Sequence, residues 1–223
     1  MMQNEIDLII DYPANIANQL INNQIDIGLV PVAAIPRMKN YAVNGDFCIA
    51  CDGEVASVCL FSDVPLNEIK TILLDYQSRT SVALLKILLK EHWNITPLLV
   101  DATQGYETSI TGTTAGLVIG DRALKQRLKN NFIFDLGLGW KEMTGLPFVF
   151  AAWISNTPLP VQFINNFNQA NSFGLTKLDD VVKENPFGAY DLHKYYTENI
   201  LFKPEFDKLE IITLFLKKLN GYK

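Results

Sequence analysis

The chain has 223 residues, of which 48% are hydrophobic and 19% are charged, a balance that predicts a folded globular protein rather than a disordered one. Its net charge of −5 argues against broad binding to nucleic acids or anionic membranes, because no surplus of basic side chains is available to neutralise phosphates. The N-terminus has no secretion-signal pattern, and no stretch approaches the roughly 20 apolar residues of a membrane span. We therefore expect a cytoplasmic protein that binds neither nucleic acid nor membrane.

The first third of the chain alternates between strand-like and helix-like patterns. An apolar run at residues 7–10, a helical pattern at Pro13–Ile21 and a second apolar run at residues 26–30 predict a βαβ unit, which implies a parallel sheet. Another strand is predicted at residues 55–61.

The rest of the chain continues this pattern and then becomes helical. Strands are predicted at residues 71–74, 98–100, 115–119 and 147–154, with helices after the first and third of these strands. Residues 161–223 have a helical tendency throughout. The expected fold class is therefore α/β, with helices on both faces of a sheet.

The domain organisation must be one in which the domains share strands, because no repeat or Gly/Ser linker divides the chain. Residues 55–65 and 147–160 are strand-like runs that end in irregular, proline-containing sequence, and each is a candidate crossing between two lobes. Crossings near residues 62 and 150 predict a discontinuous lobe one, residues 1–62 and 150–223, and a lobe two of residues 63–149. A ligand cleft is expected between the lobes.

The three cysteines do not predict a metal site. Cys48 and Cys51 form a C-x-x-C pair, but neither a second pair nor a nearby histidine completes a zinc site around them or around Cys59. Reduced and unreactive thiols are the expected state.

The most informative segment for function is the turn at residues 75–82, which lies between a predicted strand and an amphipathic helix. Ser78 is a good N-cap residue, and the free N–H groups of the first helical turn would lie beside the hydroxyls of Ser78, Thr80 and Ser81 and the guanidinium of Arg79. These donors are suited to an anion such as a carboxylate, although serine and threonine at this position also serve as simple helix caps. Arginine occurs only four times in the chain, so its presence here favours the anion site.

Several ordered segments resemble one known family. They are residues 26–32 (DIGLVPV), 53–58 (GEVASV), 78–82 (SRTSV), 119–124 (IGDRAL), 135–140 (DLGLGW) and 144–153 (TGLPFVFAAW), with a weaker match at 196–200 (YTENI). Together they resemble the MqnA family, the chorismate dehydratases of the futalosine route to menaquinone. The resemblance implies a two-lobed fold like that of type II periplasmic binding proteins, with the ligand cleft between the lobes.

The activity implied by this resemblance is the dehydration of chorismate to 3-[(1-carboxyvinyl)oxy]benzoate, a carbon–oxygen lyase reaction. The ring loses the proton beside the ether together with the neighbouring hydroxyl and becomes aromatic, so neither a metal nor a redox cofactor is expected. The protein must hold a small-molecule dianion, orient the leaving groups and keep out water. A homodimer is left open.

The family's chemistry suggests roles for the polar residues of the 75–82 turn. Ser78, Arg79, Thr80 and Ser81 are expected to bind one carboxylate of the substrate, and Ser78 is also the candidate catalytic group within the chain. Ser57, at the predicted lobe crossing, is expected to make a second polar contact, although its hydroxyl could equally satisfy a group of the sheet.

Two further pairs complete the predicted substrate site. Gly120 and Asp121 end a predicted strand and begin a helix at the edge where ligands of open α/β sheets bind, and Asp121 could orient a hydroxyl or cap the helix. Pro147 and Phe148 are expected to form an apolar wall for the ring. Phe148 and Phe150 alternate along a strand, so one of the two should belong to the core.

The resemblance also implies an N-terminal strand ending in a Tyr-x-Asn-like segment, whose Asn takes part in proton removal. The start of this chain matches the family's second strand, so the catalytic Asn is expected upstream of Met1. This chain is then expected to bind the dianion weakly and to dehydrate it poorly, and an N-terminal extension should restore turnover.

Two alternative functions remain open. The first is a non-catalytic module that binds small carboxylates on the same fold. The second is the sibling enzyme that acts on a dehypoxanthine futalosine derivative. Residues 78–81 and 144–147 favour the dehydratase over this sibling enzyme.

Overall fold

The chain folds into two β-sheets with helices packed around them, as seen in a computed structural model that describes Met2 and residues 4–221. In this range the strands are β1 Ile27–Pro31, β2 Ala42–Cys51, β3 Val58–Ser62, β4 Thr71–Leu74, β5 Leu98–Asp101, β6 Thr114–Ile119, β7 Phe132–Asp135 and β8 Phe148–Ser155. The α-helices of the same range are α1 Pro13–Ile21, α2 Arg79–Glu91, α3 Gly120–Gln126, α4 Leu136–Thr144, α5 Val161–Leu175, α6 Leu178–Glu184, α7 Leu192–Lys194 and α8 Lys208–Asn220.

The first sheet has the strand order β1-β8-β2, and both pairings are antiparallel. A short 3-10 helix, Val32–Arg37, follows β1 and packs against α2. On the outer side of β2, Leu201 exchanges backbone hydrogen bonds with Ala50.

The second sheet has the strand order β5-β4-β6-β3-β7. Strand β4 is parallel to β5 and β6, whereas β3 is antiparallel to β6 and β7. The carboxyl ends of β4, β5, β6 and β7 therefore meet the beginning of β3 at one edge of the sheet. This edge contains every polar segment of the second sheet that the sequence associated with ligand binding, and α2 begins from it.

The two sheets divide the chain close to the predicted lobe boundaries, which remain a prediction. Val58–Ser62 was predicted in lobe one, but it pairs on both sides with strands of the second sheet, β6 and β7. Residues 148 and 149 were predicted in lobe two, but they belong to β8 of the first sheet. The chain therefore crosses between the sheets at residues 52–57 and 145–147.

The predicted strand at residues 7–10 is wrong, and so is the βαβ unit built on it. These residues are irregular and exposed, with Leu8 73% and Ile10 89% accessible, because no described strand pairs with them. Strand β1 pairs with β8 in the antiparallel sense, so no parallel pair forms in this sheet. Helix α1, by contrast, has the predicted bounds, with Pro13 at its first position.

One continuous hydrophobic core passes through both sheets. The inward face of α2, which includes Leu84, Leu85 and Leu88, is fully buried and belongs to this core. Cys48, Cys51 and Cys59 are buried and not joined in disulfides, and burial raises the pKa of the Cys48 thiol to about 11, which agrees with unreactive thiols. Every helix in the described range is too short or too polar to cross a lipid bilayer.

Candidate functional site

A cavity of about 620 Å³ lies between the 3-10 helix Val32–Arg37 and the first two turns of α2. One wall is the 3-10 helix that follows β1, and the other consists of α2 and the carboxyl ends of β4 and β5. Its charged and polar lining includes Arg37, Asp75, Ser78, Arg79, Lys86 and Asp101. This volume is within the usual range for a small-molecule site.

Ser78 begins α2 as predicted. It is the N-cap of the helix, and its Oγ accepts the N–H of Ser81 at 3.1 Å and donates to the Ser81 Oγ at 2.8 Å. One orphan donor of the first turn is thereby satisfied. The N–H groups of Arg79 and Thr80 have no partner within the helix and remain available to an anion.

The other predicted donors of this turn divide into two groups. Arg79 is exposed to the cavity and forms no ion pair or hydrogen bond with any residue that the structure describes. Thr80 and Ser81 are only 1% and 2% exposed, and the Thr80 Oγ1 accepts the N–H of Ala33 at 3.2 Å. Thr80 therefore ties α2 to the 3-10 helix of the opposite wall, while Ser78 and Arg79 line the cavity.

An ion pair between the buried Asp75 and the partly exposed Arg122 holds the segment that leads into α2. The Asp75 carboxylate accepts hydrogen bonds from the Arg122 guanidinium at 2.6 Å, the Tyr106 hydroxyl at 2.8 Å and the Gln77 N–H at 2.7 Å. Arg122 also donates to Glu107 at 2.6 Å and to the Gln77 side chain at 2.9 Å. Burial, followed by the nearby Asp75 charge, raises the pKa of Tyr106 far above its ordinary value, so its hydroxyl remains a donor. Through its bonds to Asp75 and Gln77, Arg122 thus holds the segment between β4 and α2 in place.

Arg122 was not among the predicted site residues. It follows Gly120 and Asp121 in one of the family-like segments, which was the available signal. Its partner Asp75 is 47 positions away, and the pairing of β4 with β6, the strand that precedes α3, brings the two together.

Replacing Arg122 with glutamine is expected to lower the free energy of unfolding by about 2 kcal/mol, because the buried Asp75 carboxylate then keeps only neutral donors. Denaturant unfolding followed by circular dichroism measures this loss. The Asp75→Asn/Arg122→Gln double variant lacks both charges of this pair, so its loss should be smaller than the sum of the two single losses. Strictly additive losses would contradict the pairing.

A second polar cluster lies at the same edge of the sheet, around Ser57. The Ser57 Oγ is 2.8 Å from the Tyr195 hydroxyl, and the Ser57 carbonyl accepts the N–H of Gly120 at 2.8 Å. Burial raises the pKa of Tyr195 to about 12. Tyr195 begins a π-helical turn, Tyr195–Asn199, that overlaps the weakest of the family-like segments, and sequence reasoning did not single it out. Ser57 therefore has a polar partner already and does not line the 620 Å³ cavity.

Asp121 does not cap α3. Ile119 occupies the N-cap position and makes no side-chain cap bond, and Asp121 forms no hydrogen bond or ion pair with the described residues. Gly120 has a φ of +62°, in the left-handed region, and an added Cβ would contact nothing there. Backbone conformation, rather than lack of space, favours glycine at this position. Gly120 and Asp121 lie at the predicted edge but outside the lining of the cavity.

The apolar wall predicted from Pro147 and Phe148 is not formed by Phe148 in this structure. Phe148 is fully buried, and its ring packs edge-on against Trp140 and Phe215, with distances between ring centroids of 5.1 Å and 5.2 Å. The Pro147 carbonyl accepts the indole N–H of Trp140 at 2.9 Å. Both of the alternating rings, Phe148 and Phe150, belong to the core, so neither is available to a ligand here.

Comparisons with known proteins address the family and the fold. A family model described as menaquinone biosynthesis matches residues 1–218. The chorismate dehydratase of Thermus thermophilus is 30% identical over 191 residues, which cover 77% of this chain and 70% of that protein.

Solved structures resemble the chain as a whole. Protein AF1704 of Archaeoglobus fulgidus matches with a TM-score of 0.67 and 15% identity over 96% of this chain and 83% of its own. The alkanesulfonate-binding protein SsuA of Xanthomonas axonopodis pv. citri, solved with MOPS, matches with a TM-score of 0.59 and 13% identity over 94% and 78% of the two chains. At these identities the likeness concerns the fold alone. It confirms the predicted α/β fold of the two-lobed, periplasmic-binding-protein type.

Proposed function

Because this chain belongs to the menaquinone biosynthesis family, we propose that it is a chorismate dehydratase, a lyase that converts chorismate to 3-[(1-carboxyvinyl)oxy]benzoate and water. The chorismate dehydratase of Thermus thermophilus, which is 30% identical to this chain, supports the proposal. The substrate is a dianion with a carboxylate on its ring and another on its enolpyruvyl ether. The site must therefore offer positive charge to both carboxylates and must not place an unpaired negative charge beside them.

One observation carries the proposal: Arg79 faces the cavity without a partner among the described residues, beside two free N–H groups at the start of α2. A guanidinium binds a carboxylate with two parallel hydrogen bonds, and the positive end of the helix dipole adds to the attraction. Asp75, the nearest carboxylate in sequence, does not oppose the ligand because Arg122 pairs with it.

The proposed chemistry asks the protein mainly to bind and to orient. Elimination removes the ring proton beside the ether and the neighbouring hydroxyl, and the product ring is aromatic, which supplies the driving force. Arg79 and the free N–H groups at the start of α2 would fix one carboxylate, and Val82 and Ala83 give the ring an apolar surface along the same cavity. Ser78, whose hydroxyl is bonded to Ser81, would hold these N–H groups in place as the N-cap. A ring held in one orientation presents its proton and hydroxyl in a fixed geometry for elimination.

A second candidate function is binding of a small carboxylate without turnover. It is favoured by the acid–base groups of the cavity: of the two carboxylates in its described lining, Asp75 is tied to Arg122 and Tyr106, which leaves Asp101 as a group that could take a proton. A carboxylate-binding site with so few acid–base groups would suit a binding protein as well as an enzyme.

Incubation of the purified protein with chorismate is expected to yield a product lighter by one water, with the absorbance of an aromatic enolpyruvyl ether. Mass spectrometry and ultraviolet spectroscopy follow the conversion, and a reaction without protein is the blank. Binding of chorismate by calorimetry without product would favour the second candidate. Conversion of a dehypoxanthine futalosine derivative, with no reaction of chorismate, would instead favour the sibling enzyme.

A further inference from the structure

Helix α2 presents a stripe of cavity-lining residues that extends well beyond its first turn. Arg79, Val82, Ala83 and Lys86 all line the cavity. Residues at positions i, i+3, i+4 and i+7 lie on one face of an α-helix, and seven residues advance about 10 Å along its axis. The stripe therefore has a cation at each end and two small apolar side chains between them.

We propose that Lys86 binds a second carboxylate, at a position called here the second seat, so that the cavity holds a ring-bearing dicarboxylate lengthwise along α2. Arg79 and the N-terminal N–H groups would hold one carboxylate, and the Lys86 ammonium would hold the other. The ring between them would lie over Val82 and Ala83. Because the ligand is taken to be a dicarboxylate such as chorismate, this inference rests on the proposed function.

The charges around the cavity support a dianion. Its described lining contains three cations, Arg37, Arg79 and Lys86, and two carboxylates, Asp75 and Asp101. Arg122 offsets the Asp75 charge, which leaves a surplus of positive charge for a ligand.

Lys86 is the cation best placed to bind at the far end of the stripe. It is exposed and has no ion pair or hydrogen bond with any described residue. Arg37, on the opposite wall, already donates a hydrogen bond to the Asn18 side chain at 3.3 Å. The aliphatic part of the Lys86 side chain can lie along Val82 and Ala83 while its ammonium group reaches a carboxylate.

Two simple probes separate the two seats. Isophthalate carries two carboxylates across one benzene ring, and benzoate carries one. With the wild-type protein, isophthalate is expected to bind more tightly than benzoate in titration calorimetry. The Lys86→Gln variant is expected to lose about tenfold in isophthalate affinity, the loss of one charge-assisted contact, with benzoate affinity changed by less than about twofold.

Lys90→Gln is the matched control. Lys90 is on the next turn of the same helix and outside the lining of the cavity, so this variant makes the same charge change but should leave both affinities as in the wild type. An unchanged ratio of isophthalate to benzoate affinity in Lys86→Gln would overturn the second seat. Failure of the wild-type protein to bind isophthalate would overturn it as well.

These measurements are independent of turnover. If chorismate is not dehydrated but the isophthalate effect appears, the dehydratase proposal fails and the dicarboxylate seat stands. If chorismate is dehydrated and the affinity ratio does not respond to Lys86→Gln, the dehydratase proposal stands and the second seat is wrong.

Discussion

The Arg79→Gln variant is expected to lower kcat/KM for chorismate by about 10- to 100-fold, which corresponds to the roughly 1.5–3 kcal/mol of a hydrogen bond to a charged group. Glutamine keeps the length and polarity of the side chain but removes the charge and the fork geometry of the guanidinium. Arg79 is exposed and forms no bond with the described residues, so the fold should not respond to its loss. Steady-state kinetics of product formation measure the change.

Two controls sharpen this prediction. Arg79→Lys keeps the charge without the fork, so its kcat/KM should lie between those of the wild type and Arg79→Gln. Lys70→Gln removes a positive charge from an exposed position outside the cavity and should leave kcat/KM unchanged. Equal kcat/KM for the wild type and Arg79→Gln would remove Arg79 from the site and with it the main support for the carboxylate seat.

The division of the effect between KM and kcat tells how the seat works. If Arg79 holds the carboxylate equally in the ground state and the transition state, only KM rises. If it orients the ring for elimination, kcat falls as well. We expect both changes, because one anchored end alone does not fix the orientation of a ring.

Local signals made the start of α2 predictable from sequence. Ser78 as N-cap, the strand Thr71–Leu74 before it and the amphipathic pattern after it depend on neighbours within one or two turns, and all three are present in the structure. The direction of each hydroxyl was not predictable in the same way. Thr80 is one position from Arg79, yet its Oγ1 faces the N–H of Ala33, 47 residues away, because the 3-10 helix packs there.

Pairing between distant segments, which local patterns do not indicate, explains the errors in the predicted fold. Residues 7–10 have a strand-like composition, but a strand also needs a partner, and none of the described strands lies beside them. Conversely, β7 was missed although it pairs with β3, and the helix α4 that follows it was missed as well. The first crossing between the sheets lies at residues 52–57, whereas the prediction put it near residue 62. The apolar pattern of β3 predicts a strand but does not indicate that this strand pairs with β6 and β7.

Phe148 shows a further limit of sequence reasoning. Residues two positions apart on a strand lie on the same face, so the expectation that only one of Phe148 and Phe150 belongs to the core was wrong. The alternation also does not indicate what covers that face. In the structure, α8 supplies Phe215 against Phe148, and α4 supplies Trp140, so the face that resembled a ligand wall is core.

The Asp135→Asn variant is expected to lose about 3 kcal/mol of unfolding free energy, the largest stability effect in this set, because a buried acceptor of several N–H groups becomes partly a donor. Asp135 is the N-cap of α4, where its Oδ1 accepts the N–H groups of Gly137 at 2.9 Å and Leu138 at 3.1 Å. The same carboxylate accepts the N–H of Val55 at 3.1 Å and of Ala56 at 2.8 Å, which belong to the crossing between the sheets.

The position of Ala56 explains why this carboxylate matters beyond the cap. Ala56 has a φ of +61°, a left-handed conformation that costs a non-glycine residue on the order of 1 kcal/mol and persists only where surrounding bonds enforce it. An asparagine can keep Oδ1 in place, but its amide group would then point a donor at the Ala56 N–H. The crossing would relax, and Ser57, the next residue, would move with it.

Asp207→Asn is the matched control, measured by the same denaturant titration. Asp207 is also an N-cap, of α8, but it is exposed and accepts the N–H of Leu209 without a second set of donors. Asparagine caps helices about as well as aspartate, so this change should cost less than about 0.5 kcal/mol. A similar small loss for Asp135→Asn would mean that the carboxylate acts as an ordinary cap, and that packing of the two sheets, rather than Asp135, holds Ala56 in its left-handed conformation.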